Sequence, residues 1–538
     1  METNQNDAVA EALQLLVSDS LASRLWQRDA SLWPEPSFGG DPADKTLGWL
    51  DLPMRLSMLG KQFAYLNSQL VSDGFTDVVV LGMGGSSMTP LTLSSLFGES
   101  NIRLHAIDTV NPVTIANLTG QFNLSKTLFF VSSKSGTTVE SLSLEAHFRS
   151  AMANDPNTEM DRRRFVALTD PGTPLADRAR AGEFGTWVST PEDVGGRFSA
   201  LSAFGMMPAA ATGINIRPLA ESATRMATMC GYDSAGNPGL ILGAFLAANA
   251  LAGRNKVTLL TGQSYSTFGM WVDQLLAEST GKNGKGLIPI TGEPDLKIHQ
   301  YRDDRQFVVF NPERESTVDS FSHELSKAGH PVLLLETSSS DKHDIAGEFF
   351  RWQFATATAS SLMDIYPFDQ PDVESAKIKS RELLSNRTSN INDLPVSDAL
   401  STVLGNESPN YVAITAFLPE TPELTTAFSN LRKAISEKTG MATTFGYGPR
   451  YLHSTGQLYK GGPQNAIVLG FISGEYDDLV VPGESYTFGQ LTEAQAEGDF
   501  MVMAGVGQTV LPVRLSGDLV EEIMTVTENI NRTERPEK

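Results

Sequence analysis

Residues 77–90 read DVVVLGMGGSSMTP, and this stretch sets the fold class. Val78, Val79, Val80 and Leu81 form a short β-branched run without polar alternation, the pattern of a strand buried on both faces of a parallel sheet. Gly82 stops the run. The glycines and serines beyond it predict a tight turn, and Thr89 with Pro90 predicts a helix start, the hydroxyl as cap and the proline at the first helical position. The amides of Gly84, Gly85, Ser86 and Ser87 are then expected near a helix N-terminus, where unsatisfied N–H groups and the helix dipole attract an anion such as phosphate. Glycines after a strand also serve close packing, so this turn alone leaves both readings open.

A second strand and turn sharpen the reading. Thr127–Ser132 (TLFFVS) is another buried run, leading into SSKSGTTVES, where Ser133, Ser135, Thr137 and Thr138 surround Lys134 and Gly136. Capping a helix needs one hydroxyl, not a cluster with a lysine, so a phosphate cradle is the better account. Thr137 and Glu140 stand at capping-box spacing, which predicts a helix start there. Two strand–turn–helix units so close together predict one sheet whose carboxyl edge holds one ligand.

At 538 residues the chain is too long for a single core. With 41% hydrophobic and 19% charged residues the composition is that of a soluble globular protein, and a formal charge of −22 argues against nucleic acid as a partner. Leu240–Ala252, the longest apolar run, is shorter than a bilayer span and predicts a buried helix, so no membrane association is expected. The first residues lack the order of a signal peptide, and a cytoplasmic location is the expectation. Cys230 is the single cysteine, which excludes internal disulfides and thiolate metal sites. None of the seven histidines is paired with another at helical i, i+4 spacing, so no metal is expected.

Along the chain, residues 1–75 read as a helical segment, 76–235 as a first α/β domain, 236–392 as a second and 393–538 as a smaller C-terminal α/β domain. Arg197 follows a glycine pair in VGGRFSALS, where backbone freedom can aim a guanidinium inward, although a surface arginine fits the spacing equally. Glu278 falls in the last turn of a helix ended by Gly281, and the negative end of the dipole there should raise its pKa, which suits a general base. Pro371 suits a first helical position, placing Lys377 about one and a half turns into a helix, directed at a cleft or at solvent. The run GYGPRYLHSTGQLYKGGP, residues 446–463, is costly to order unless it builds a site or an interface.

Taken in order, GMGGSSMTP, SSKSGTT, VGGRFSALSAFG, QLLAESTGK and PFDQPDVESAK resemble the signature blocks of the phosphoglucose isomerase family, built from two sugar-isomerase (SIS) domains. With the HSTGQ segment, the chain most resembles the isomerase half of bifunctional transaldolase/glucose-6-phosphate isomerases, without a transaldolase half. The resemblance implies two SIS-type, doubly wound parallel-sheet domains plus a third α/β domain. It also implies interconversion of glucose 6-phosphate and fructose 6-phosphate through an enediolate, in glycolysis and gluconeogenesis, with no cofactor. It assigns phosphate binding to Gly85, Ser86, Ser133, Lys134, Ser135 and Thr138, enediolate stabilisation to Arg197, and proton shuttling between C2 and C1 to Glu278. Lys377 is implied to assist ring opening, with Gln274 and Gln370 lining the pocket.

The family's ring-opening histidine lies in a GQH block that this chain lacks. His299 stands at a similar distance after Gly292–Pro294, and His453 in the HSTGQ loop is the other candidate. A homodimer with shared sites is implied, because in the family this histidine comes from the neighbouring subunit, and the His453 loop is the candidate for crossing. Two other readings share the same cradle: a dual phosphoglucose/phosphomannose isomerase, and a non-catalytic sugar-phosphate sensor. Only the enzymes need Glu278 and Lys377 at one pocket.

Overall fold

A computed structural model describes residues 7–37, 40–98, 100–156, 161–337, 340–386, 391–405, 411–474 and 477–532. Three all-parallel sheets organise it. In the first, β1 (Asp77–Gly82), β2 (Arg103–Ile107), β3 (Thr127–Ser132), β4 (Phe165–Thr169) and β5 (Thr186–Ser189) lie in the order β2-β1-β3-β4-β5. The second contains β6 (Lys256–Thr261), β7 (Ile288–Ile290), β8 (Arg305–Phe310) and β9 (Val332–Leu334), in the order β7-β6-β8-β9. The third is built from β10 (Tyr411–Phe417), β11 (Thr443–Tyr447), β12 (Ala466–Ser473) and β13 (Thr509–Leu515), in the order β11-β10-β12-β13. Helices connect the strands, as parallel pairing requires, giving an α/β fold of three parallel sheets.

β1 and β3 are buried at every residue and pair directly, with Gly82 opposite Ser132. That register brings the two hydroxyl-rich turns side by side at one sheet edge. The first helix starts earlier than its cap signals predict: it spans Gly85–Phe97, with Pro90 inside it. Gly84, at φ +56°, turns the chain straight out of the strand, and its carbonyl accepts from Ser87 and Met88 at 2.9 Å each. Pro90 lacks the N–H that would have reached Ser86, a local cost outweighed by burial of the whole turn. The capping box at Thr137 is also not formed. Thr138 occupies the cap position of the Val139–Asn154 helix without a side-chain bond, and Glu140 turns inward.

β5, β7 and β13 carry no comparably clear sequence signal. β13 contains Pro512, which an edge strand tolerates and an interior one does not. The apolar run read as a buried helix is one, Pro238–Leu251, and Cys230 is buried, its thiol pushed up to about 12 by desolvation. Among the described residues no helix is long and apolar enough to cross a membrane.

One apolar core joins the N-terminal helices to the first two sheets through Trp49, Phe198, Trp271 and Phe350. The C-terminal region packs on both. Phe488 and Leu491 join the core behind β1 and β3, while Tyr451 and Leu458 pack with Ala277, Ile288 and Ile290.

Candidate active site

The two turns face a cavity of about 780 Å³. Its wall includes Gly85, Ser86, Ser133, Lys134, Ser135 and Thr138 from the turns, then Gln370 and Lys377, and finally His453, Lys460 and Gln495 from the C-terminal region. Hydroxyls dominate the second turn. Ser133 Oγ and Thr138 Oγ1 lie 2.8 Å apart, the Thr138 amide donates to Ser133 Oγ at 3.3 Å, and Ser135 Oγ and Thr137 Oγ1 are 2.9 Å apart. In the first turn the amides of Ser86 and Ser87 are spent closing the turn itself, on Met83 O and Gly84 O, so the expected convergence of bare amides is reduced. A hydroxyl pair with rotatable hydrogens can still turn its donors to an anionic oxygen. The Lys134 ammonium is paired with Asp170 and donates to Glu192 O at 3.2 Å, which ties it down beside the turn. Burial raises the pKa of Asp170, against the pull of Lys134 and Thr190.

Behind this wall lies a compact buried group. Glu278, in the last turn of the Ser266–Thr280 helix, is 6% exposed; Arg197 Nη1 stands 3.8 Å from its Oε2, and Gln274 Nε2 donates to the same oxygen at 3.1 Å. Desolvation raises the pKa of Glu278, with Arg197 and Gln274 pulling against it. Arg197 is itself buried, which lowers its pKa against the charges of Glu278 and Asp369. Its Nε donates to Ser279 Oγ at 2.8 Å and Nη2 to Asp369 O at 2.8 Å and to Pro367 O. These bonds hold Nη1 toward the carboxylate. Two glycines permit the packing: a Cβ on Gly84 would meet Gln274 Nε2 at 2.6 Å, and one on Gly85 would meet Gly196 O at 1.9 Å.

Glu278, Gln274 and Arg197 are not themselves in the cavity wall; they abut it through His453, Gly85 and Gly196. Gln274 Nε2 also donates to His453 O at 2.9 Å. Lys377 lies at the wall with a side chain 44% exposed, 3.4 Å from Glu374, between the two orientations its spacing allowed. His299 is not brought to the site: it is exposed in a short turn whose Gln300 bonds to Glu437 O. His453 is brought there. Its Nε2 lies 2.8 Å from Glu140 Oε1, within the same chain, so the 446–463 loop closes on its own first sheet.

Sequence reasoning missed several members of this site. Glu140 is 3% exposed and accepts from Gln495 Nε2 at 2.6 Å. Burial acts to raise its pKa, but the charge and hydrogen bond of His453, with help from Gln495, hold it below the usual range. Lys460, buried in the cavity wall, is paired with Asp499, which also accepts from Tyr451 OH at 2.7 Å. Lys282 lies 2.9 Å from Asp369 Oδ1 and donates to Tyr366 O at 2.7 Å, its pKa pushed down to about 7 by burial and by Arg197. No local pattern marks these residues, since each partner comes from a distant part of the chain.

The model of the family described as phosphoglucose isomerase matches residues 69–287. A glucose-6-phosphate isomerase from Rubrobacter xylanophilus is 28% identical over 353 residues, covering 57% of this chain and 82% of that protein. One from Thermus thermophilus is 27% identical over 388 residues, covering 64% and 92%. The solved structure of a glucose-6-phosphate isomerase from Chlamydia trachomatis aligns with a TM-score of 0.60 at 18% identity, over 74% of this chain and 89% of that one. A hypothetical protein from Thermus thermophilus aligns with a TM-score of 0.61 at 24% identity, over 71% and 98%. At these identities the structural likeness speaks for the fold.

Proposed function

Because this chain belongs to the phosphoglucose isomerase family, we infer that it interconverts glucose 6-phosphate and fructose 6-phosphate. The observation that carries the reading is the pairing of a hydroxyl-lined cavity at the β1/β3 edge with a buried carboxylate of raised pKa beside a fixed guanidinium. An anionic tail is held by Ser133, Ser135 and Thr138, with Ser86 and Gly85 from the neighbouring turn and the Lys134 segment beside it. This orients the sugar carbons toward the place where Gly85, Gly196 and His453 meet, with Gln370 alongside.

In the open-chain sugar, the ionised Glu278 carboxylate removes the proton from C2. The C2–H pair becomes the enediolate double bond, and negative charge moves onto O1. Arg197 Nη1 stabilises that charge, a fixed cation next to a developing oxyanion being worth about 3 kcal/mol in a site closed to water. The O2 hydroxyl proton passes to O1 as the C2=O2 bond forms, and the same carboxylic acid delivers its proton to C1. Burial supports this role, because a carboxylate with a raised pKa is a stronger base than one in water. Gln274 holds the carboxylate in place, and Lys377 at the cavity wall assists ring opening. Association into homodimers and a cytoplasmic location complete the reading.

The test is a coupled assay with glucose 6-phosphate and with fructose 6-phosphate, run on the wild-type chain and on Glu278→Gln. Turnover in both directions by the wild type alone is expected; a chain that binds these sugars without converting them is a sensor and not an isomerase.

A further inference from the structure

We propose that the buried Lys282–Asp369 pair positions Arg197 for the reaction: it fixes the 366–369 segment whose carbonyls hold the guanidinium, and so aims the two unspent donors of Nη1 at the reacting oxygens. The proposal rests on the isomerase reading above and deepens it, assigning positioning roles to two residues that do not touch the sugar.

The donors of Arg197 carry the argument. A guanidinium has five N–H groups in one rigid plane. Nε donates to Ser279 Oγ at 2.8 Å, and Nη2 spends its pair on Pro367 O and, at 2.8 Å, on Asp369 O. Nη1 stands 3.8 Å from Glu278 Oε2, too far for a hydrogen bond, so its N–H groups are the ones left for the enediolate oxygens. Because the fork is rigid, the direction of Nη1 follows from where those two carbonyls lie.

The carbonyls belong to a stretch that is neither helix nor strand, so no backbone ladder holds them in place. Side chains do so instead. Lys282 Nζ donates to Tyr366 O at 2.7 Å and lies 2.9 Å from Asp369 Oδ1, while Asp369 Oδ2 accepts from the Ser37 amide at 2.8 Å. Asp369 is the crossing point, with its carbonyl on Arg197 and its carboxylate on Lys282. Gln370, which lines the cavity, is the next residue. Lys282 itself comes just past the end of the Glu278 helix, so the base and the anchor of the cation are set by one element. The Lys282 and Asp369 side chains are 4% and 6% exposed. A buried ion pair is weak as a stability device, since apolar groups of the same volume serve as well or better. What this pair supplies is a fixed place for two carbonyls.

The test is a kinetic double-mutant cycle on the full-length chain, built from Lys282→Met and Arg197→Lys. Two binding probes accompany turnover: glucitol 6-phosphate, which resembles the open-chain substrate, and 5-phosphoarabinonohydroxamate, whose planar hydroxamate resembles the enediolate. Lys282→Met is expected to lower kcat and hydroxamate affinity together by about tenfold, leaving KM and glucitol 6-phosphate affinity at the wild-type level, because only stabilisation of the developing charge is misaimed. In the Arg197→Lys background, which has already lost the fork, the same substitution should change kcat by less than about twofold. Wild-type kcat in Lys282→Met, full multiplication of the two losses, or equal loss of both probes overturns the proposal. Should Lys282→Met fail to fold, the nearly isosteric Asp369→Asn takes its place in the cycle, with the same split expected and the same outcomes overturning it. A wild-type chain inert toward both hexose phosphates overturns the isomerase reading, and this proposal with it; an active wild type matched by its Lys282→Met variant overturns this proposal alone.

Discussion

Gln274 and Glu278 lie one turn apart on the same helix, and the Gln274 amide reaches the Glu278 carboxylate at 3.1 Å while also holding the His453 carbonyl at 2.9 Å. One side chain thus ties the proposed base to the loop that closes the cavity. A helix places residues i and i+4 on one face, so this link follows from chain geometry once the loop has docked.

The first prediction concerns the base. Glu278→Gln preserves shape and size but removes the proton acceptor, and kcat should fall by about 10³-fold, within the range for loss of a general base. Affinity for glucitol 6-phosphate, measured by calorimetry, should be unchanged. A variant with wild-type kcat would remove Glu278 from the chemistry.

The second follows from the pKa of Glu278. Desolvation raises it, whereas Gln274 and Arg197 hold it down, so the acid limb of the kcat/KM profile lies above the ordinary glutamate range. Gln274→Met should move that limb to still higher pH. The sign for stability is fixed too: folding favours the neutral acid, so the contribution is full below the unfolded glutamate pKa and is lost as pH rises through the folded one. A limb that moves to lower pH in Gln274→Met would contradict the arrangement.

The third separates binding from chemistry. Ser133→Ala removes one hydroxyl of the Ser133–Thr138 pair, and losing one such bond costs about 1 kcal/mol, or about fivefold in KM, with kcat nearly unchanged. Steady-state kinetics on both sugars checks this; a large fall in kcat with constant KM would exclude the cradle.

The fourth concerns loop anchoring. Asp108 is 1% exposed and is bonded by Arg450, so Asp108→Ala leaves a largely buried guanidinium with Glu420 as its remaining carboxylate and should cost about 3 kcal/mol of stability. Arg450→Met combined with Asp108→Leu should recover part of that loss. Denaturant unfolding of the two single variants and the double variant measures the coupling.

The fifth uses Lys282. Burial depresses its pKa to about 7, so folding favours the neutral amine. Its contribution is full above the unfolded lysine pKa and is lost as pH falls toward 7. Tm should therefore drop more steeply between pH 10 and 7 in the wild type than in Lys282→Met/Asp369→Asn. Parallel slopes would show that Lys282 stays charged beside Asp369 throughout.

Local pattern was enough for the strands that place the cradle. The runs Asp77–Gly82 and Thr127–Ser132 are continuous and apolar because both faces of those strands are covered, and burial of that kind leaves a mark in consecutive residues. Residue order also sufficed for the resemblance, which rests on five blocks met in sequence. The start of the Gly85–Phe97 helix was misread from its cap residues, because Gly84 allowed an earlier turn than Thr89 and Pro90 signal.

What tertiary structure alone decided is which distant groups meet. Glu140 stands at capping-box spacing from Thr137, yet it is paired with His453, 313 positions further along the chain. His299 and His453 are equivalent as candidates in the sequence, and only docking of the C-terminal region leaves one in solvent and brings the other to the cavity. The physical reason is the range of each interaction. Strand and helix preferences act between near neighbours and leave periodic traces, whereas a buried charge finds its partner through packing of whole elements, which no short stretch of residues records.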